Sequence, residues 1–376
     1  MTPPLRVLHV VANRWWTGSA EPALDLARTL KARGHAVWFA CVRGDVLETH
    51  VRAAGVELVE SLSLERNARP WRLAAQIGAL RRVLRDRAVD VVHAHQTHDH
   101  WLAALARART GVRLVRTVHH RRAVHDGRAA RWVLQRADAV IAVSEGIAAR
   151  LRAAGVPDTR VTLVPGAVDV ERFRPSADGR PLRAELGLGE APVAGCVARM
   201  VPGRGHDVLL RAMARLRQRM PEARLVLVGR GEHRPALEAL VGELGLESTV
   251  VFAGYRGEDL PATLAALDCL VLLGTGSEES CRAVLEGMAV GRPVVAAPVG
   301  ALPEIVVEGE TGWLVEAAPE PVAAALEAAL RDRARSRLVG AAGRRRVEAL
   351  YTPARRAALV ETVYAQVLAK EALSRR

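Results

Sequence analysis

The stretch GTGSEESCRAVLEGMAVGRPVVAAP, Gly274 to Pro298, decides the fold. An apolar run, Cys269 to Leu273, enters it and stops at Gly274, and a second, Val294 to Ala297, leads out of it. Both have the length and unbroken apolar character of strands covered on two faces. Between them Ala283–Ala289 has helical spacing and is closed by Gly291 and Pro293. Strand, helix and strand make a βαβ unit, and open parallel sheets take their ligands beyond the carboxyl ends of the strands. Glu278 falls in the turn, and Glu286 in the helix beside Leu285 and Met288. A carboxylate in an apolar helix needs a fixed partner if it is buried, and a vicinal diol such as a ribose offers one. A surface glutamate on an amphipathic helix is the plainer alternative, and periodicity leaves both open.

At 376 residues the chain is too long for one ordinary core and suggests two domains. No apolar run approaches membrane-spanning length, and MTPPLRVLHVV reads as a first strand, not as a leader. The four cysteines, Cys41, Cys196, Cys269 and Cys281, lie far apart without metal-ligand spacing, as expected of reduced thiols in a cytoplasmic protein. The net charge of +13 is uneven, with +12 in residues 1–175 and +1 in the remainder. Arginine supplies 52 of the 54 cations. Codon bias accounts for arginine over lysine, but not for the asymmetry. A basic first half suits an anionic membrane surface or a phosphorylated acceptor, with nucleic acid a further candidate on charge alone.

Outward from the βαβ unit, the chain is two successive sets of alternating strands and helices. This predicts an α/β protein of two doubly wound, Rossmann-like parallel-sheet domains, residues 1–175 and 176–353. The last helix, within 354–376, has no strand after it and is expected to pack back on the first domain. In the first domain the loop NRWWTGSAEP carries one glycine, Gly18, which either admits a phosphate or simply turns the chain. Arg72–Arg85 is a basic amphipathic helix whose end gathers Arg81, Arg82, Arg85 and Arg87, a candidate membrane-facing surface. His93, His95, His98 and His100 straddle a strand end, where alternate residues point to opposite faces, so no converging metal set is expected. His119 stands at the carboxyl end of a strand, a place that opens into ligand sites. In the second domain Arg199 and Arg204, Gly229 and Gly231, and Glu278 and Glu286 each follow a strand and should meet at one rim. Cations neutralise phosphate, glycines admit a close backbone approach, and a helix start after Ser280 offers N–H donors.

These segments resemble glycosyltransferases of family 4, which have the two-domain GT-B fold with the domains facing across a cleft. The resemblance is carried by TGSAEPALDLARTLKARGHAV, ARMVPGRGHDVLLRA, VGRGEHRPALEAL and GSEESCRAVLEGMAVGRPVVA. It implies that Glu286 holds ribose hydroxyls, Arg199 and Arg204 the diphosphate, and Glu278 with Ser280, Cys281 and Arg282 the donor sugar. Gly18 would lie near the donor phosphates, His119 near the reacting sugar, and Gly254, Tyr255 and Arg256 near the base. The sequence departs from the family in four places, one being the first glycine-rich loop, which here keeps only Gly18. A usual lysine is Arg204, a usual Gly-Phe-Gly is Glu279-Ser280-Cys281, and a usual Asn-Gly is Gly166-Ala167. The expected activity is retaining, metal-independent transfer from a nucleoside-diphosphate sugar to an envelope glycan or lipid-linked acceptor. No cofactor and no nucleic-acid partner are expected, and the protein would be cytoplasmic, with peripheral membrane contact through its basic half. A sugar-nucleotide epimerase and a non-catalytic nucleotide-sugar-binding subunit are the alternatives.

Overall fold

A computed structural model of the chain describes residues 3–65, 69–125, 127–276 and 279–374, with side chains to 369. Glu278 lies outside the described residues. The chain divides into two compact units. The first comprises Met1–Gly166, Ser277–Glu279 and Pro353–Arg376, and the second Ala167–Gly276 and Ser280–Thr352.

The first unit is built on β1 (Arg6–Val11), β2 (Ala36–Cys41), β3 (Glu57–Leu58), β4 (Val91–Ala94), β5 (Arg113–Val118), β6 (Ala139–Ala142) and β7 (Val161–Leu163). All pair in parallel, in the order β3-β2-β1-β4-β5-β6-β7. The order reverses between β1 and β4, the topological switch point where such sheets bind ligands. The C-terminal helix, Pro353–Ser374, buries Ala357, Val360, Val363, Tyr364 and Val367 in one core of this unit. Its Glu361 accepts hydrogen bonds from Arg33 and faces His35 at 3.0 Å. That helix is therefore a structural part of the first sheet's cover.

The second unit contains β8 (Val193–Val197), β9 (Arg224–Val228), β10 (Val250–Gly254), β11 (Cys269–Leu272), β12 (Val294–Ala296) and β13 (Gly312–Leu314), parallel in the order β10-β9-β8-β11-β12-β13. Its switch point lies between β8 and β11, the strands that precede Arg199 and Glu286. The passage between the units falls at Gly166, not at 175. Val168 and Phe173 are buried in the second core, and Val168 N–H donates to the Tyr351 carbonyl.

One helix of this unit, Arg333–Leu350, is absent from the pattern read above because the face it buries, Ser336, Val339, Gly340, Gly343 and Val347, is made mostly of small residues set among arginines. Gly340 allows it to cross against the Gly291 carbonyl, where an added Cβ would sit 2.0 Å from the oxygen. Arg344 donates to the Val170, Phe173 and Ala289 carbonyls, and Arg346 to those of Ile305 and Glu304.

The expected cluster of four outward arginines does not form. Arg81, on the helix Pro70–Asp86, donates to the Leu105 and Ala106 carbonyls and closes the end of the helix Thr97–Ala106. Arg87 pairs with Glu57 and lies over the Trp38 ring. Arg82 and Arg85 remain exposed. At the other end of the helix Trp71 stands 65% exposed beneath the Arg69 guanidinium.

Candidate active site

In the second unit, the turns after β8, β9 and β10 meet at the sheet's carboxyl edge. Ala198 N–H donates to the Val228 carbonyl, Met200 N–H to that of Arg230, His233 N–H to that of Met200, and Gly229 N–H to that of Gly254. This lattice is so close that a Cβ on Gly229 or on Gly231 would lie 2.0 Å from a carbonyl oxygen, of Ala198 or Met200 respectively. The close approach that these glycines permit is thus chain against chain. Gly229 also holds φ +144, a conformation that side-chain-bearing residues avoid.

Arg204 reaches across the turn that follows β11. Its guanidinium occupies the room that Gly276 lacks a side chain to fill, for a Cβ there would be 2.3 Å from the Arg204 Nη1. Its Nε is buried and has no hydrogen-bond partner. Burial pulls the Arg204 guanidinium below its usual basicity, and the charge of Arg199 adds to that. Arg199 itself is exposed, two residues beyond β8. A cation held in partial burial with an unused buried donor is prepared for an anion.

The helix Arg282–Ala289 buries Glu286, and Arg282 holds its carboxylate at 3.0 Å, four residues back along the same helix. The partner that burial demands is thus already on the helix. Carboxylate and guanidinium together present acceptor and donor groups in one place. Ser280 and Cys281 are buried just before the helix start. Cys281, at φ +52, adopts a left-handed backbone conformation where the family pattern has glycine, so the departure changes the side chain and keeps the glycine-like backbone.

Tyr255 is 63% exposed and stacks on the Arg230 guanidinium at 4.9 Å, a flat polar platform. Arg256 is engaged otherwise: it pairs with Glu185 and Asp259 and donates to the Ala253 carbonyl, and those acidic partners raise its basicity. It fixes the loop after β10 and has little donor capacity left for a ligand.

In the first unit, Gly18 forms a turn with Ser19 ahead of the helix Ala20–Ala32, and Ser19 accepts a hydrogen bond from Gln96. Glu279, which groups with this unit, is fully buried and accepts hydrogen bonds from Arg121 through its backbone N–H and its Nε. Sequence reading missed it because its neighbour Glu278 fits the family spacing.

The histidines correct another expectation. His93 and His95 are two residues apart, so they share a face, whereas His98 and His100 belong to the next helix. His9 stands opposite His93 across β1 and β4, and His119 follows β5. Nitrogens of His9, His93 and His95 come within 4.8 Å of one another, a separation compatible with a metal. Hydrogen bonds already use most of them. His9 Nδ1 lies 3.0 Å from His95 Nε2, and His95 Nδ1 lies 3.3 Å from His119 Nε2. His93 has Tyr364 Oη at 2.6 Å on one nitrogen and Thr117 Oγ1 at 2.7 Å on the other. Burial holds the rings neutral, pushing His9 and His119 down to about 3, with Arg356 adding to both and Arg116 to His119. The signal was in the sequence as His9 on β1, but only strand order reveals that β1 and β4 are neighbours.

Two Rossmann-like parallel-sheet domains in one chain, with charged and glycine-bearing turns at the carboxyl ends of the strands, have the make-up of the GT-B fold. Family comparison agrees. Residues 16–172 match the model described as Glycosyltransferase Family 4, and residues 191–332 that described as Glycosyl transferases group 1. The chain belongs to glycosyltransferase family 4.

Among curated relatives, it is 36% identical over 217 residues to the GDP-mannose-dependent alpha-(1-6)-phosphatidylinositol monomannoside mannosyltransferase of Mycolicibacterium smegmatis. That match takes in 55% of this chain and 57% of the relative. It is 35% identical over 276 residues to the D-inositol 3-phosphate glycosyltransferase of Nocardia farcinica, with 67% of this chain and 61% of the relative covered. The chain thus spans about three-fifths of the length of these relatives. Among solved structures, a glycosyltransferase from Rickettsia africae superposes with a TM-score of 0.86 at 18% identity, covering 97% of this chain and 99% of that one. Anabaena Alr3699/HepE in complex with UDP-glucose superposes with a TM-score of 0.80 at 22% identity, covering 98% and 99%. At such identities the superpositions speak for the fold. Among the described residues, no helix is long and apolar enough to cross a membrane.

Proposed function

We propose that the protein transfers a sugar, with retention, from a nucleoside-diphosphate donor to a glycan or lipid-linked acceptor of the cell envelope. The observation that carries this is Arg204, a half-buried cation with an unused buried Nε, laid across the Gly274–Gly276 turn beside Arg199. Cleavage of a glycosyl–phosphate bond builds negative charge on the departing diphosphate, and fixed cations in a poorly solvated site stabilise that charge without reorganising. In this reading Arg199 and Arg204 hold the diphosphate, with the glycine turns of Gly229 and Gly231 shaping the floor. Glu286, positioned by Arg282, takes the ribose hydroxyls, and Tyr255 lies against the base. Ser280 and Cys281, before the helix Arg282–Ala289, border the donor sugar, and roles at the donor for Glu278, Gly18 and His119 are proposed on the family resemblance alone. Arg256 then acts by holding its loop, not by touching the donor.

The two curated relatives are named for phosphatidylinositol monomannoside and inositol 3-phosphate, which supports an acceptor carrying phosphate. The +12 charge of residues 1–175 favours the same class and an anionic membrane surface, reached from the cytoplasm. The chemistry assigned to these residues uses no metal. The test is a screen of nucleotide sugars, UDP-glucose and GDP-mannose among them, for binding and then for products with and without a phosphoinositol acceptor. Glycosylated acceptor together with free nucleoside diphosphate supports the proposal. Conversion of the donor sugar without acceptor would identify an epimerase, and binding without any product a non-catalytic subunit.

A further inference from the structure

Three buried imidazoles, those of His9, His95 and His119, form a line. At both joints, the separation of ring centroids, 5.3 Å and 5.6 Å, is the N···N distance of 3.0 Å or 3.3 Å plus two ring radii. The nitrogens therefore meet edge to edge, with ring planes inclined by 21° and 27°, as a linear hydrogen bond requires. His93 stays outside the line. Its ring stacks on His95 at 4.4 Å, and Tyr364 of the C-terminal helix and Thr117 hold both its nitrogens, so it fixes the plane in which His95 lies. The outer nitrogens of the line, His9 Nε2 and His119 Nδ1, are buried and have no partner.

Proton counting gives this arrangement a direction. A neutral imidazole carries one N–H, so three rings carry three protons. Each N···N joint needs one proton: none leaves two lone pairs opposed, and two bring hydrogens together. Two protons are thus committed, and the third sits at one outer end. If it is on His119 Nδ1, all three rings are Nδ1–H tautomers. If it is on His9 Nε2, all three are Nε2–H tautomers. We propose that His9 and His95 are positioning residues for His119, setting through this shared line whether His119 Nδ1 donates or accepts a hydrogen bond. Passage between the states moves each joint proton across its joint to the neighbouring ring. The step balances by exchange with water during local opening of the site: water gives a proton to His119 Nδ1 and water accepts one from His9 Nε2, so the line keeps three protons. Burial and the charges of Arg116 and Arg356 keep imidazolium out of the line, which holds the count at three.

The catalytic consequence rests on the reading that His119 faces the donor sugar; the tautomer linkage does not. The experiment is a long-range proton–nitrogen correlation spectrum of the full chain, labelled with ¹⁵N-histidine, near pH 7. The expected result is one tautomer for all three rings, Nδ1–H throughout or Nε2–H throughout. Adding UDP-glucose or GDP-mannose should leave all three as they are or switch them together. A mixed set, an imidazolium among them, or a ligand that switches His119 alone would overturn the proposal. His95→Phe keeps the ring stacked on His93 but cuts the line, and should lower turnover by about tenfold or more with donor KM little changed. Unaltered turnover in a folded His95→Phe protein would also overturn it. If that variant fails to fold, the wild-type spectrum still decides. If no nucleotide sugar binds, the proposed function fails, and the ligand-free spectrum still tests the line.

Discussion

Replacing Arg204 with methionine should strengthen the fold and weaken nucleotide binding. The side chain is half-buried, its Nε has no partner, and its Nη1 lies where a Gly276 Cβ would stand. A buried donor left unsatisfied costs about 1–3 kcal/mol, and partial exposure places Arg204 at the lower end. Methionine fills similar space without that penalty, so Arg204→Met should gain about 1 kcal/mol. For a domain of this size that raises Tm by roughly 2–4 °C. A hydrogen bond to a charged group contributes about 1.5–3 kcal/mol, so losing two modest ones to a diphosphate costs about 3 kcal/mol, roughly a hundredfold in Kd. The assays are thermal unfolding of the ligand-free protein and calorimetric titration with UDP and GDP. The signs should oppose, with Tm up and affinity down. A Tm that drops by several degrees while the affinity of the preferred nucleotide stays unchanged would refute the reasoning and make Arg204 a structural residue.

Other outcomes follow from the same geometry. Gly229→Ala should destabilise the second domain by about 2 kcal/mol or more, because its Cβ meets backbone at 2.0 Å in a conformation alanine avoids; a urea midpoint equal to wild type would contradict this. Stability should fall as pH drops from about 6.5 toward 4. The buried His9, His100 and His119, held at about 3, bind protons only in the unfolded chain across that window, each contributing about 1.4 kcal/mol per pH unit. Asp99, raised by burial to about 7, opposes the trend as a single group, so a urea midpoint that is flat across the window would be inconsistent with neutral histidines. Reversing Arg82 and Arg85 together should weaken binding to anionic liposomes, whereas Arg81, spent on the Leu105 and Ala106 carbonyls, should matter chiefly to stability. Liposome binding indifferent to Arg82 and Arg85 would remove that helix from the proposed membrane face.

Much of the fold could be read from the apolar runs. Strands Val193–Val197 and Arg224–Val228 do precede Arg199 and Gly229, as the sequence pattern requires, and the βαβ unit around Glu286 forms as its spacing requires. What could not be read has identifiable causes. The helix Arg333–Leu350 gave only a faint signal because its buried face, Ser336, Val339, Gly340, Gly343 and Val347, has few large apolar residues and much of its packing is through glycines and arginine-to-carbonyl bonds. The basic helix looked like a charged surface because a sequence does not reveal that Arg81 caps a neighbouring helix. The histidine line depends on β1 and β4 lying side by side, although some eighty residues separate them in the chain, and adjacency of that kind is a property of the sheet. In the candidate site the residue types were visible, but their partners were not. The buried Glu286 carries its own Arg282, and Arg256 is committed to Glu185 and Asp259.

The most direct test of a diphosphate grip in the second domain watches the arginine itself. In a protein carrying ¹⁵N-labelled arginine, the Nε–H signal of Arg204, assigned by its loss in Arg204→Met, should shift on titration with UDP or GDP and saturate with the calorimetric Kd. A signal that stays fixed while the nucleotide demonstrably binds would place the diphosphate elsewhere and contradict the account.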